Sequence, residues 1–457
     1  MKLLSLIASL FFVGLLISIG CRQTTAPQGD ASEPDANRPI AIDYRDRQIP
    51  TATQPYSAVV PDATSQPATH TDEGDRSKLP ATAPTASTDE PKATAIDPLT
   101  LRIRETQGLL RRYLWQHARD PNNPWLIAHA LLAFDKDLKM ADGQFAIDRI
   151  VSGFLQFKTI GGVEIPYFQI RNGDTPIEPH PFLQVKTLLE VGVPLSREFR
   201  VGGRTVKMAD LLKGVYLLHP ANINEDDLGQ YAWSYFLLYD HLPDNAWSWP
   251  NAESEQVVFV RLLWRAIAFL ERQTSFLHVL KDRGVEVIPK LEVSKQHIYA
   301  EPCGGLHLIQ GVMRWAAHPV FRQRLQPLLN AQIDLMFYRL NGETKLYMDL
   351  YQKKQKHAGY GFIVLLQQLK FLGHLLESFG DLHKWGLFNP HPTQRRHLRH
   401  GLELLNFTIH TLDKLGWYRR IDELKTRSYQ LYLDLLGDSA HALHALNMIQ
   451  RSKLYRE

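Results

Sequence analysis

The chain is short of cysteine, of strand signals and of long apolar runs. Two cysteines in 457 residues cannot staple the fold, so a disulfide-built scaffold is excluded. With 28 Gly, 27 Pro and 44% apolar residues, the chain is neither collagen-like nor disordered throughout. A single long apolar run, at the N-terminus, excludes a polytopic membrane protein. No P-loop occurs, and no GxGxxG followed by an acidic residue, so the usual signatures of nucleotide binding are missing.

What is present begins with an address. Met1 and Lys2 precede LLSLIASLFFVGLLISIG and then Cys21, the basic start and apolar stretch of a secretory signal. Ser18-Ile19-Gly20-Cys21 resembles the lipobox of bacterial lipoproteins, with Ser18 where Leu is usual. The resemblance implies a signal peptide over residues 1–20, acylation of Cys21 and a lipid bilayer as partner. Several acyl chains anchor a protein stably, whereas one does not. Arg22, rather than Asp, after the cysteine implies the outer membrane by the same resemblance. An uncleaved anchor helix is the alternative, since about 17 apolar residues just span a bilayer. Both readings place the remainder in the cell envelope, where ATP-driven enzymes and genome binders fit poorly and no nucleic-acid partner is expected.

Residues 21–98 are rich in Pro, Thr, Ala, Ser and Asp, as in LPATAPTASTDEPKATA. Such a stretch buries too little to offset its ordering entropy and reads as a disordered tether. After Cys21 it holds seven basic and twelve acidic residues, which leaves residues 99–457 with a net charge of +8. That excess suits an anionic surface, or simply solubility.

From Leu99 onward the apolar spacing is helical. Helices that are apolar nearly all round start near Pro124, His180, Asp226, Pro302, His357 and Ile421. They alternate with amphipathic, charged helices at 99–117, 253–272, 319–340 and 392–415. Buried inner helices paired with half-exposed outer ones predict an all-α fold over 99–457, an α/α toroid of about six helical pairs. An open solenoid is the alternative. EFRVGGRTVKM (198–208) predicts a hairpin turning at Gly202-Gly203, and IPYFQIRNGDTPIEP (165–179) an extended segment turning at Asn172-Gly173.

In such a ring the inner helix starts converge on the centre. The candidates there are Trp125, Glu178, His180, Asp226, Asp227, Gln230, Tyr231, Glu301, Cys303, His307, His357 and Tyr360. Glu301-Pro302-Cys303-Gly304-Gly305-Leu306-His307 is the sharpest feature. With Cys21 acylated, Cys303 is the remaining thiol. Pro302 suits a helix start, where the dipole lowers a thiol pKa, and a helix places His307 one turn on. This pattern resembles the zinc site of the α/α-toroid protein prenyltransferases, in the terpenoid cyclase superfamily. There an acidic residue, one intervening residue and a cysteine at an inner-helix start are completed by a histidine from the next inner helix. The resemblance implies zinc held by Glu301, Cys303 and His357; by its spacing from Cys303, His307 is a candidate ligand in place of Glu301. Inert packing of Cys303 and close helix contact at Gly304-Gly305 explain the same letters.

Glu178 with Asp226 or Asp227 forms a second candidate, paired carboxylates near Trp247 and Trp249, as glycan cleavage needs. Helix capping accounts for Asn224-Glu225-Asp226-Asp227 equally well. Three functions therefore stand open. The first, and leading, one is a non-catalytic protein binding an envelope glycan or protein partner in the central cavity. The others are a zinc-dependent transferase or hydrolase and a polysaccharide-degrading enzyme.

Overall fold

Helix caps and buried stripes set the elements. In the computed structural model, residues 97–172, 175–178, 180–218, 223, 227–239, 252–293, 296–356 and 358–456 are described. The expected signal, Cys21 and the expected tether lie outside the described residues up to residue 96; Asp97 and Pro98, expected to end the tether, already belong to the first helix and its cap. Asp97 accepts from the Leu99 N–H and opens α1 (Pro98–His117), which turns Leu99, Ile103, Leu110 and Leu114 inward. Asn123 does the same for α2 (Pro124–Phe134), whose residues are buried almost all round. The remaining helices are α3 (Ala146–Phe154), α4 (Leu183–Glu190), α5 (Met208–Leu217), α6 (Leu228–Tyr239) and α7 (Ala252–Asp282). After these come α8 (Leu306–Trp315), α9 (Pro319–Lys354), α10 (Ala358–Lys384), α11 (Pro392–Lys414), α12 (Ile421–Arg427) and α13 (Tyr429–Ser452).

The packing partners define a closed ring. Each of α2, α4, α6, α8, α10 and α13 touches the next, and α13 returns to α2. Outside it, α1 lies on α13, α3 on α2, α7 on α8, α9 on α10, and α11 bridges α10 and α1. The fold is all-α, an α/α toroid of six inner helices backed by outer ones. Glycines permit the closest crossings. A Cβ on Gly311 of α8 would stand 2.7 Å from the backbone of Ala232 on α6, and one on Gly373 of α10 would stand 3.2 Å from the Ala442 nitrogen of α13. One hydrophobic cluster runs from Leu99 to Tyr455 and ties the ring together.

Inner helices begin close to the expected places at Pro124, Leu183, Leu228, Leu306 and Ala358. The sixth differs. Ile421 opens only the seven-residue α12, and the inner helix starts at Tyr429 behind the Ser428 cap. Among the described residues, three two-stranded antiparallel pairings decorate the ring. β5 (Glu198–Val201) and β6 (Arg204–Lys207) turn at Gly202-Gly203 as the sequence predicts. The 165–179 segment divides instead. β2 (Val163–Phe168) pairs back onto β1 (Leu155–Ile160), and β3 (Arg171–Asn172) pairs with β4 (Thr175–Pro176). No described helix is long and apolar enough to cross a membrane.

Candidate metal centre in the hub of the ring

The approach to α8 is a left-handed turn. Cys303 (φ 52°, ψ 33°), Gly304 (φ 62°) and Gly305 (φ 77°) all take positive φ before Leu306 begins the helix. The right-handed turn expected at Pro302 is therefore absent. Positive φ at the non-glycine Cys303 costs about 1–2 kcal/mol, and the two glycines after it have little room for a side chain. A Cβ on Gly305 would overlap the Ile298 side chain at 2.2 Å, and one on Gly304 would meet Arg339 Nη2 at 3.2 Å. The turn brings Cys303 beside His307 by a route other than helical spacing.

Ligand atoms of Cys303, His307 and His374 all lie within 4.8 Å of one another. The third residue belongs to α10, the next inner helix. It sits well inside that helix, because α10 starts far above the level of the Cys303 turn. His307 is 3% exposed and stacks on Trp233, with centroids 3.9 Å apart and planes at 9°. Neither of its ring nitrogens has a hydrogen-bond partner. The rings of His180 and His374 meet it edge-on, at 5.3 and 5.0 Å. Trp233 is fixed in turn by its Nε1–H donating to Gln310 at 2.9 Å and by Lys186 Nζ 3.5 Å over its ring.

A second grouping adjoins the first. His374, Glu377 and His441 also have ligand atoms within 4.8 Å of one another. His441 Nδ1 lies 2.8 Å from Glu377 Oε2 and His374 Nδ1 lies 3.5 Å from it. The His129 ring meets that of His441 edge-on at 5.2 Å, and its Nδ1–H donates to the Trp125 carbonyl at 2.7 Å.

Burial keeps His307, His129 and His374 neutral. Burial, then the neighbouring histidines, hold His307 and His129 well below the ordinary histidine range. Burial and His441 bring His374 down to about 3. Neutral imidazoles carry the lone pairs that metal binding needs. Burial would raise the Glu377 carboxyl, but His441 and His374 more than reverse this and hold it well below its usual value. The hub thus offers a half-buried Cys with buried His and carboxylate groups in two groupings that could hold a metal ion.

The other sequence candidates lie in varied places. Glu301 is buried, with Oε2 2.6 Å from where a Gly229 Cβ would stand, and it belongs to neither grouping. Glu178 accepts the N–H groups of Phe182 (3.2 Å) and Gln184 (3.1 Å) and so caps α4; burial pushes its pKa up to about 8. Asp227 is half-buried just before α6 and contributes, after burial, to raising the Tyr231 pKa. Asp226, His357, Trp247, Trp249 and the Gln230 side chain lie outside the described residues. Sequence reasoning missed His129, His374, Glu377 and His441, which sit within the inner helices rather than at their starts. The available signal was an ionisable pair three residues apart, His374 and Glu377, in the largely apolar FLGHLLESF.

At the opposite end of the ring, the C-termini of α2, α4, α10 and α13 surround a cleft of about 580 Å³. Asp135, Glu190, His383, His444 and Arg451 are among its lining residues. Comparison of the chain with protein-family models, curated proteins and solved structures finds no match.

Proposed function

We propose that the chain is a bacterial envelope lipoprotein, anchored through acylated Cys21, that holds zinc in the hub of its helical ring as a hydrolase or transferase. The carrying observation is His307, buried with both ring nitrogens unpartnered beside Cys303 and His374. An unsatisfied buried polar group costs about 1–3 kcal/mol, which a bound ion would offset. One thiolate and two neutral imidazoles are a three-ligand set that leaves a fourth position for water or substrate, the pattern of catalytic zinc. Zinc there would acidify a bound water or polarise a substrate oxygen. His307 and His374 would hold the ion, Trp233 would fix the His307 ring, and the surrounding apolar helices would exclude bulk water.

The test is the metal content of the full chain, purified in detergent without chelator or affinity histidines, beside Cys303→Ala. One zinc per chain, with the thiolate bond lost in the variant, is the expected result. Metal-free protein that takes up no added zinc overturns the reading. A binding protein without chemistry is the second reading; the 580 Å³ cleft at the far end of the ring supports it. Glycan cleavage gains no comparable support, because Glu178 is committed to the start of α4.

A further inference from the structure

The geometry points to a second divalent-cation site in the hub, formed by His374, Glu377 and His441. It is distinct from the Cys303 grouping in donor type and in the helix that completes it. His374 and Glu377 stand three residues apart on one face of α10, and His441 comes across from α13. Gly373, beside His374, is what lets those two helices approach so closely. Two imidazoles and one carboxylate form a donor set that first-row divalent ions take up readily, with positions left open.

Charge supplies an independent argument. Glu377 is 3% exposed, and among the described residues its ion-pair partners are His374 and His441, with no Lys or Arg. A buried carboxylate needs positive charge close by, and here imidazoles rather than a Lys or Arg make its contacts, a place that a metal ion could take. The His374 Nδ1 atom facing it at 3.5 Å is buried without a hydrogen-bond partner. A cation among the three would neutralise the carboxylate and give that nitrogen a ligand bond. His374 Nε2 faces Asp438 Oδ1 at 3.9 Å, the side on which a carboxylate commonly orients a metal-bound histidine. Because His374 belongs to both groupings, the two sites fill together only if its ring gives one nitrogen to each ion and releases its remaining ring proton to solvent. Otherwise they fill one at a time.

The experiment uses Co²⁺ as the probe on the full chain in detergent. Thiolate-to-cobalt charge-transfer absorption reports the Cys303 site, and ligand-field absorption without it reports the second site. In Cys303→Ala, one Co²⁺ per chain without the thiolate band is expected. Adding Glu377→Gln to that background should weaken binding at least tenfold. A Cys303→Ala protein that binds no Co²⁺, or Glu377→Gln with no effect on it, overturns the second site. Absence of the thiolate band from the unmodified chain counts against the Cys303 site alone. A variant that fails to fold is bypassed by anomalous scattering from Co²⁺-soaked Cys303→Ala crystals. A peak bonded to Glu377 and His441 supports the site, and a map without one overturns it.

Discussion

Glu343→Gln should be among the most damaging single substitutions in the ring, although it changes the shape of the side chain very little. Glu343 of α9 is 0% exposed, as is Arg339 one turn before it. Its carboxylate accepts from Arg339 Nε at 2.6 Å, from Lys290 Nζ at 2.9 Å and from Tyr299 Oη at 2.9 Å. Neutralising it leaves two buried cations without an anion. Removing one partner of a buried pair costs about 3–5 kcal/mol, against a domain stability of about 5–15 kcal/mol. Arg339 Nη2 also backs Gly304, so the left-handed turn carrying Cys303 should loosen and metal uptake should fall with stability. Urea unfolding followed by tryptophan fluorescence, with zinc content measured in parallel, reads both effects. The pH sign follows from Glu343 itself. Burial would raise its pKa, but Arg339 and Lys290 hold it below the usual value. Its contribution is therefore present above the unfolded carboxylate pKa and is lost as pH falls through the lower, folded one. Replacing Glu343, Arg339 and Lys290 together by apolar residues should recover much of the loss. A cost below about 1 kcal/mol for Glu343→Gln, within the range of a surface pair, would refute the account of the cluster.

Glu178 predicts the opposite pH sign. Its folded pKa, pushed up to about 8 by burial, lies above the unfolded value, so it stabilises below pH 4.5 and that contribution is lost as pH rises through 8. Glu178→Gln should flatten the fall in thermal midpoint between those values; an unchanged profile would show that the carboxylate is solvated. Gly311→Ala should force α8 and α6 apart and cost about 1–3 kcal/mol or more. Gly108→Ala on exposed α1, where a Cβ meets nothing, should instead gain up to about 1 kcal/mol; equal effects of the two in urea unfolding would contradict the close crossing. Cys21→Ser should abolish fatty-acid labelling and release the chain from the membrane fraction, and continued labelling would show that the acylated residue lies elsewhere.

The helical pairs were legible because a helix start leaves local marks. Asp97 and Asn123 cap from within a few residues, and prolines at 98 and 124 mark first turns. The hairpin at Gly202-Gly203 was legible for the same reason, since its turn chemistry is contained in two letters. β1 was not legible, because LQFKTI acquires its strand character from pairing with β2. The inner start at Tyr429 was missed because the ID-E-L-K of α12 offers an equally good local start, and burial against the ring makes the choice.

The candidate site divides along the same line. Cys303 and His307 could be named from the letters, since a lone thiol near a histidine at a glycine-rich helix approach is a local pattern. That the two residues after Cys303 have little room for a Cβ depends on Ile298 and on Arg339 of α9, which only the folded chain brings there. His374, Glu377 and His441 could not be singled out by periodicity. A helix buried all round has no preferred face in its sequence, and the height of a residue in the ring depends on how far its helix runs before meeting its neighbours. Local sequence specified which stretches are helices, which of them are buried and where each begins. The convergence of five buried histidines on one hub came from ring closure, because it depends on the relative heights of six helices far apart in the chain.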